Sequence, residues 1–323
     1  SAEVKEYGAK AKAKKYMKKK LLAISVSLLA ITACSKLNFS RNDSVATVRS
    51  VHGPTVEQVS QTVWEITQRT TGKNTPNSEA SRMILSLGTA DHDPVGLRKK
   101  GDSSLVVNVT VLSGDARPQL LVGSYDRGET VKTYELTPGI NTITGAAGDL
   151  YLRFAADQPS AANKVKVEFV SGYEPVPFYI LGTTTNQQWK DMLAYDTTPN
   201  AILVSNKSFV VCSRTKAIEF QDKNQDSALI YIDRAINAEH EISGLDGTTG
   251  NDKTWEGKIM IVEIPPANPN ATDNGRVRMP DFKYVLDYNF IISNGWGLFH
   301  EIGHHHQMRN WTFEAVGETN PNI

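Results

Sequence analysis

Gly295-Trp296-Gly297-Leu298-Phe299-His300-Glu301-Ile302-Gly303-His304-His305-His306-Gln307 is the stretch on which the reading of this 323-residue chain turns. It contains His-Glu-x-x-His. On a helix, residues four apart lie on one face about one turn from each other, so His300 and His304 can offer two imidazole nitrogens to one ion. Leu298 and Ile302 share that spacing and give the segment an apolar stripe to bury. Zinc takes neutral imidazole and anionic oxygen donors, and a catalytic site keeps one position for water. His300 and His304 are therefore candidate Zn2+ ligands. Glu301 points along a different helical direction and is a candidate general base, taking a proton from water that zinc acidifies to a pKa of about 7.

A third ligand has to come from beyond the helix. Glu314 and Glu318 follow His304 closely enough to return to it after a turn, although a lone carboxylate is ordinarily solvated. His305 and His306 lie about 100° and 200° round a helix from His304, so the three cannot all face one ion. Positions behind the ligands, in a cleft or in solvent are all open to them. Trp296 and Trp311 are candidates for a substrate cleft, with core packing as the commoner role of such aromatics. Gln307 can hydrogen-bond within the site.

The composition frames these residues. Apolar content of 40% and charged content of 22% are those of a folded globular protein of one large or two ordinary domains. Eight of the 35 basic residues and two of the 35 acidic ones lie in the first twenty positions, so the chain after residue 33 carries a net charge of −6. No basic surface for nucleic acid is indicated.

The basic start reads as an export signal. Met17-Lys18-Lys19-Lys20 precedes the apolar run Leu21 to Ala33, which is too short for an ordinary membrane span. Ile31-Thr32-Ala33-Cys34 resembles a bacterial lipobox, which implies a signal peptide over 17–33, lipidation of Cys34 and a membrane anchor in the cell envelope. Residues 1–16 then read as an upstream extension. Cys212, the other cysteine, reads as a buried small apolar residue.

Along the chain, residues 34–89 read as a tether with a short helix, since Val56, Val59, Val63 and Ile66 fall at three- and four-residue spacing. Short Val-rich strands separated by turns follow, with Val165, Val167 and Phe169 alternating with Lys166 and Glu168. That pattern predicts a β-sandwich over 90–172. A mixed α/β region over 173–323 carries helices near 186–194 and 227–242, a strand at 258–264, and the motif helix from Leu298 to about Arg309. The fold class expected is α+β.

The motif with its Gly295-Trp296 pair and His306-Gln307, followed by Trp311 and Glu318-Thr319-Asn320, resembles the signature of the enhancin-like, mucin-degrading zinc metallopeptidases. Pro94 to Asp102 and Asp233 to Leu245 are similar to other parts of that family, so the likeness covers about residues 90–323. It implies a zincin-like catalytic domain with zinc as cofactor, and maps the third ligand to Glu318, with Pro321 departing from the pattern and Glu314 kept as the alternative. It also implies hydrolysis of peptide bonds in glycoproteins, including mucin-like ones. Family catalytic domains continue with further helices, so the domain is expected to be incomplete at Ile323. The rival expectation is a surface glycan-binding lipoprotein with an inert peptidase half.

Overall fold

The structure, a computed structural model, describes residues 55–247, 250–313, 317–319 and 321. The export signal, Cys34 and Glu314 lie outside the described residues.

Alternation builds the first layers. In β11 (Lys164–Ser171), Val165, Val167 and Phe169 turn inward while Lys166 and Glu168 are half-buried. Its neighbour β5 (Leu105–Ser113) turns Leu105, Val107 and Val109 to the same side. Together with β1 (Val56–Ser60), β2 (Val63–Thr67) and β8 (Gly139–Ile143), they form an antiparallel sheet of order β1-β2-β11-β5-β8. A second antiparallel sheet, β12-β4-β9-β6-β7, joins Tyr173–Pro175, Asp93–Lys99, Gly148–Arg153, Gln119–Val122 and Lys132–Glu135. Their inward residues share one core.

Residues 55–70 correct the sequence reading. They form no helix but the β1–β2 hairpin, Val56 opposite Ile66 and Gln58 opposite Trp64. Val56, Val63 and Ile66 fit a helical spacing by coincidence. Trp64 and Ile66, two apart and both buried, carry the two-residue period instead. The sandwich thus recruits strands from before residue 90, and Trp64 is wholly buried in it.

The third sheet, β13-β14-β15-β16-β18-β17, is mixed. Its strands are Phe178–Ile180, Asn200–Val204, Ser208–Ser213, Ile259–Glu263, Arg276–Met279 and Asn270–Thr272 in that order. It is buried on both faces, which explains the continuous apolar runs of its central strands. Ile202, Val204, Phe209, Val211, Met260 and Val262 join the sandwich core. Ala201, Leu203, Val210, Cys212, Ile259 and Ile261 meet the helices. Cys212 is a fully buried free thiol whose pKa burial pushes up, so it serves packing and not nucleophilic chemistry. At Gly96 (φ +69°) the chain bulges, and a Cβ there would strike the Phe178 ring, so glycine lets the second sheet meet the third. Polar contacts reinforce the junction: Asn200 Nδ2 donates to Asp149 Oδ2 at 2.7 Å, and Arg127 Nη1 to the Glu263 carbonyl at 2.9 Å.

Helices cover the outer face of the third sheet. Asn186–Tyr195 starts at a Thr185–Gln188 capping box and Gln225–Ile242 at an Asn224 cap. Two short helices, Lys283–Leu286 and Tyr288–Asn294, precede the motif segment. The architecture is α+β. No helix of the described residues is long and apolar enough to cross a membrane.

Two outcomes follow. A fragment limited to 90–172 lacks β1 and β2, so it should show no cooperative thermal transition by circular dichroism, whereas 55–176 should retain one. His92, packed among Tyr125, Tyr151 and Phe209, is held at a pKa of about 3 by burial and then by Arg69, Arg153, Arg276 and Lys73. It stays neutral in the fold but protonates below about 6.5 when unfolded. Its contribution to stability is full above that value and is lost as pH falls towards 3, at about 1.4 kcal/mol per unit. His92→Gln should flatten the urea-measured stability profile across that interval.

Candidate metal centre

The motif helix spans Trp296–Gly303, and one 3-10 turn, His304–His306, follows it. The sequence predicts a helix to about Arg309. It ends sooner because a neighbouring strand-like segment captures the backbone. Gln307 turns extended, its carbonyl accepts from the Ser86 N–H at 2.9 Å, and Arg309 N–H donates to the Ile84 carbonyl at 2.8 Å. Leu298 and Ile302, both fully buried, press the helix into the core it shares with Val277 and Met279.

That docking turns His300 and His304 to one side, their rings 4.8 Å apart and nearly perpendicular. Glu318 meets them there: its Oε2 is 3.0 Å from His300 Nε2 and 3.5 Å from His304 Nε2. One donor atom from each residue lies within 4.8 Å of the others. Donors about 2.0–2.2 Å from one tetrahedral ion stand about 3.4 Å apart, so the Glu318 distances already fit and the widest separation has to close by about 1.4 Å around an ion. Two imidazoles and a carboxylate are also the donor set zinc prefers for catalysis. His304 Nδ1–H donates to Gln307 Oε1 at 2.8 Å, which leaves Nε2 as the lone-pair donor and fixes the ring.

Glu301 is 5% exposed, and its Oε2 has no hydrogen-bond partner among the described residues. The other side of its environment is a backbone hydrogen bond from Ala271, on edge strand β17. Burial raises its pKa above the ordinary carboxylate value, against the pull of His304, His300 and Ala271, with Glu318 adding to the rise. Oε2 is 3.9 Å from His304 Nε2, so the carboxylate borders the ligand atoms without joining them.

The remaining candidates separate by exposure. Trp296 (67% exposed) lies against the His300 ring at 5.0 Å, and Trp311 is 71% exposed. His305 does not line a cleft and is not solvated. It is fully buried, with Nδ1 2.9 Å from the Gly88 carbonyl and Nε2 3.3 Å from that of Arg276. Burial lowers its pKa to about 4, so it is neutral and pins the motif to the Gly88 carbonyl, the nearer of the two, with its one N–H. Gln307 is likewise buried behind His304. His306 Nδ1 lies 3.2 Å from the Ile302 carbonyl and Nε2 3.1 Å from His240 Nδ1, beside Trp255. Sequence reasoning missed His240, Trp255 and edge strand β17. The apolar-face position of His240 in a helix was its only local signal.

His305→Leu should cost about 1–3 kcal/mol in urea denaturation, because the buried Gly88 carbonyl loses its donor.

Residues 172–323 match the family model described as peptidase M60, enhancin and enhancin-like. Among solved structures, a mutant of a functionally unknown conserved protein from Bacillus anthracis str. Ames is similar at 24% identity and a TM-score of 0.71, over 81% of this chain and 54% of that one. The M60 catalytic domain of ZmpC from Clostridium perfringens, in complex with the sialyl T antigen, gives 20%, 0.66, 80% and 55%. These likenesses concern the fold. TRPM8 channel-associated factor 3 of Mus musculus is 23% identical over 182 residues, 56% of this chain and 19% of that protein. The chain thus spans about half the length of these solved structures and about a fifth of the curated relative. Residues 172–323, a little under half of the chain, are thus similar to the peptidase M60, enhancin and enhancin-like family.

Proposed function

We propose that the chain carries the zinc centre of a metallopeptidase acting on glycoproteins, mucin-like O-glycoproteins among them. The observation that carries this reading is the convergence of His300, His304 and Glu318 beside a buried Glu301 whose Oε2 is unpartnered. His300 Nε2, His304 Nε2 and Glu318 Oε2 would hold the ion. When bound, zinc acidifies water and polarises a carbonyl. Glu301 takes the proton from the attacking water and returns it to the departing amine. A raised carboxyl pKa suits that exchange near neutral pH. β17 is the sheet's edge next to Glu301, where an extended peptide would lie against it. The exposed faces of Trp296 and Trp311 suit sugar rings or apolar side chains of the substrate. The glycoprotein preference is supported by the glycan bound to ZmpC.

The lipobox-like Ile31-Thr32-Ala33-Cys34 supports export and anchoring through Cys34 to the bacterial envelope. Cys34→Ala should shift the protein from the membrane to the soluble fraction, and unchanged membrane association would count against the anchor.

For the enzyme, zinc content and cleavage of a mucin substrate are measured together. Glu301→Gln should keep the metal and lower turnover about 10²–10⁴-fold. His300→Ala and Glu318→Ala should lose zinc affinity, and Glu314→Ala should not. Loss in Glu314→Ala alone would reverse the ligand assignment. Glycan binding without Glu301-dependent cleavage would favour a glycan-binding surface protein instead.

A further inference from the structure

Among the described residues, and besides the Glu318 carboxylate itself, the loop that carries Glu318 meets the motif segment at two places. One is Gly303. Its φ of −57° and ψ of −32° are ordinary helical values, so its backbone makes no demand for glycine. Its surroundings do. A Cβ there would stand 2.6 Å from the carbonyl oxygen of Pro321, 2.9 Å from its Cα and 3.1 Å from its carbonyl carbon. These are backbone atoms, which cannot swing aside as the end of a side chain can. The other place is Gln307, whose Oε1 accepts from His304 Nδ1–H while its Nε2 donates to the Gly317 carbonyl. Gly317 and Pro321 lie on either side of Glu318 in the chain.

We propose that Gly303 and Gln307 are positioning residues for the third metal ligand. The bare surface at Gly303 seats the backbone of Pro321. The Gln307 amide ties Gly317 to the same imidazole whose Nε2 faces Glu318. The inference rests on the reading of His300, His304 and Glu318 as zinc ligands. Its physical basis is entropy. The Glu318 side chain is 83% exposed, so burial does not fix it. Ordering a loop and a long carboxylate around an ion subtracts from affinity unless the backbone on both sides is already placed.

The test uses the full chain, with zinc affinity read by competition with a chromophoric chelator and metal-free stability read by thermal melting in EDTA. Gly303→Ala should weaken zinc binding about 10–100-fold, the range seen when groups behind a ligand are lost. Its metal-free melting temperature should hold or rise, because alanine favours a helix over glycine. In a Glu318→Ala background, Gly303→Ala should weaken zinc no further, since the residue acts through the ligand already removed. Equal weakening in both backgrounds, or wild-type affinity in the single variant, would overturn the proposal while leaving the metal reading intact. If Gly303→Ala lowers the metal-free melting temperature, Gln307→Leu carries the same cycle: loss of its effect without Glu318 supports the proposal, and persistence overturns it. A wild-type chain that binds no zinc brings down the metal reading and this inference together.

Discussion

The contact of Leu298 and Ile302 with the helix-side core governs the site. Two fully buried side chains one turn apart set the rotation of the motif helix about its axis. That rotation decides that His300 and His304 face the Glu318 loop. Buried His305 fixes the same rotation from behind, through its one N–H and the Gly88 carbonyl 2.9 Å from Nδ1. Apolar burial supplies the driving force, and the buried hydrogen bond makes other rotations costly because they would take the donor from the Gly88 carbonyl.

The helix can be so constrained only because the sheet beneath it is rigid. The third sheet is covered by the sandwich on one face and by helices on the other, and its central strands have no wet side. A close-packed layer of this kind transmits position rather than yielding. The sandwich has a role here that needs no ligand. Through Phe178 at Gly96 and the Asn200–Asp149 hydrogen bond it braces the far face of the sheet that supports the motif. Edge strand β17 reaches Glu301 from that same sheet, so Glu301 and the cluster of His300, His304 and Glu318 are referred to one frame.

Buried polar groups in this frame divide by partner. His305 and His306 are satisfied by carbonyls and by His240, and burial keeps them neutral. Glu301 keeps one oxygen without a hydrogen-bond partner among the described residues, at the edge of the donor cluster. A buried polar atom left open is costly in a purely structural setting, so its place beside three converging ligand groups is consistent with a reacting role.

Local sequence determined much of this protein. The two-residue alternation of Val165, Val167 and Phe169 specifies a half-buried strand, and the continuous run Ile259 to Val262 specifies a strand covered on both sides. His-Glu-x-x-His specifies two imidazoles on one helical face, because i and i+4 geometry is a property of the helix alone. The hairpin at 56–67 was misread because short apolar runs fit both periods, and only pairing with β11 selects the strand. The sequence also left His305 and Gln307 without settled roles. Those depend on which backbone segments meet across long separations: Gly88 and Arg276 around His305, Gly317 and Pro321 around the end of the motif helix. Periodicity encodes the direction in which a side chain leaves its own element. What it meets there is set by the packing of distant elements, and so it was decided only in the tertiary structure.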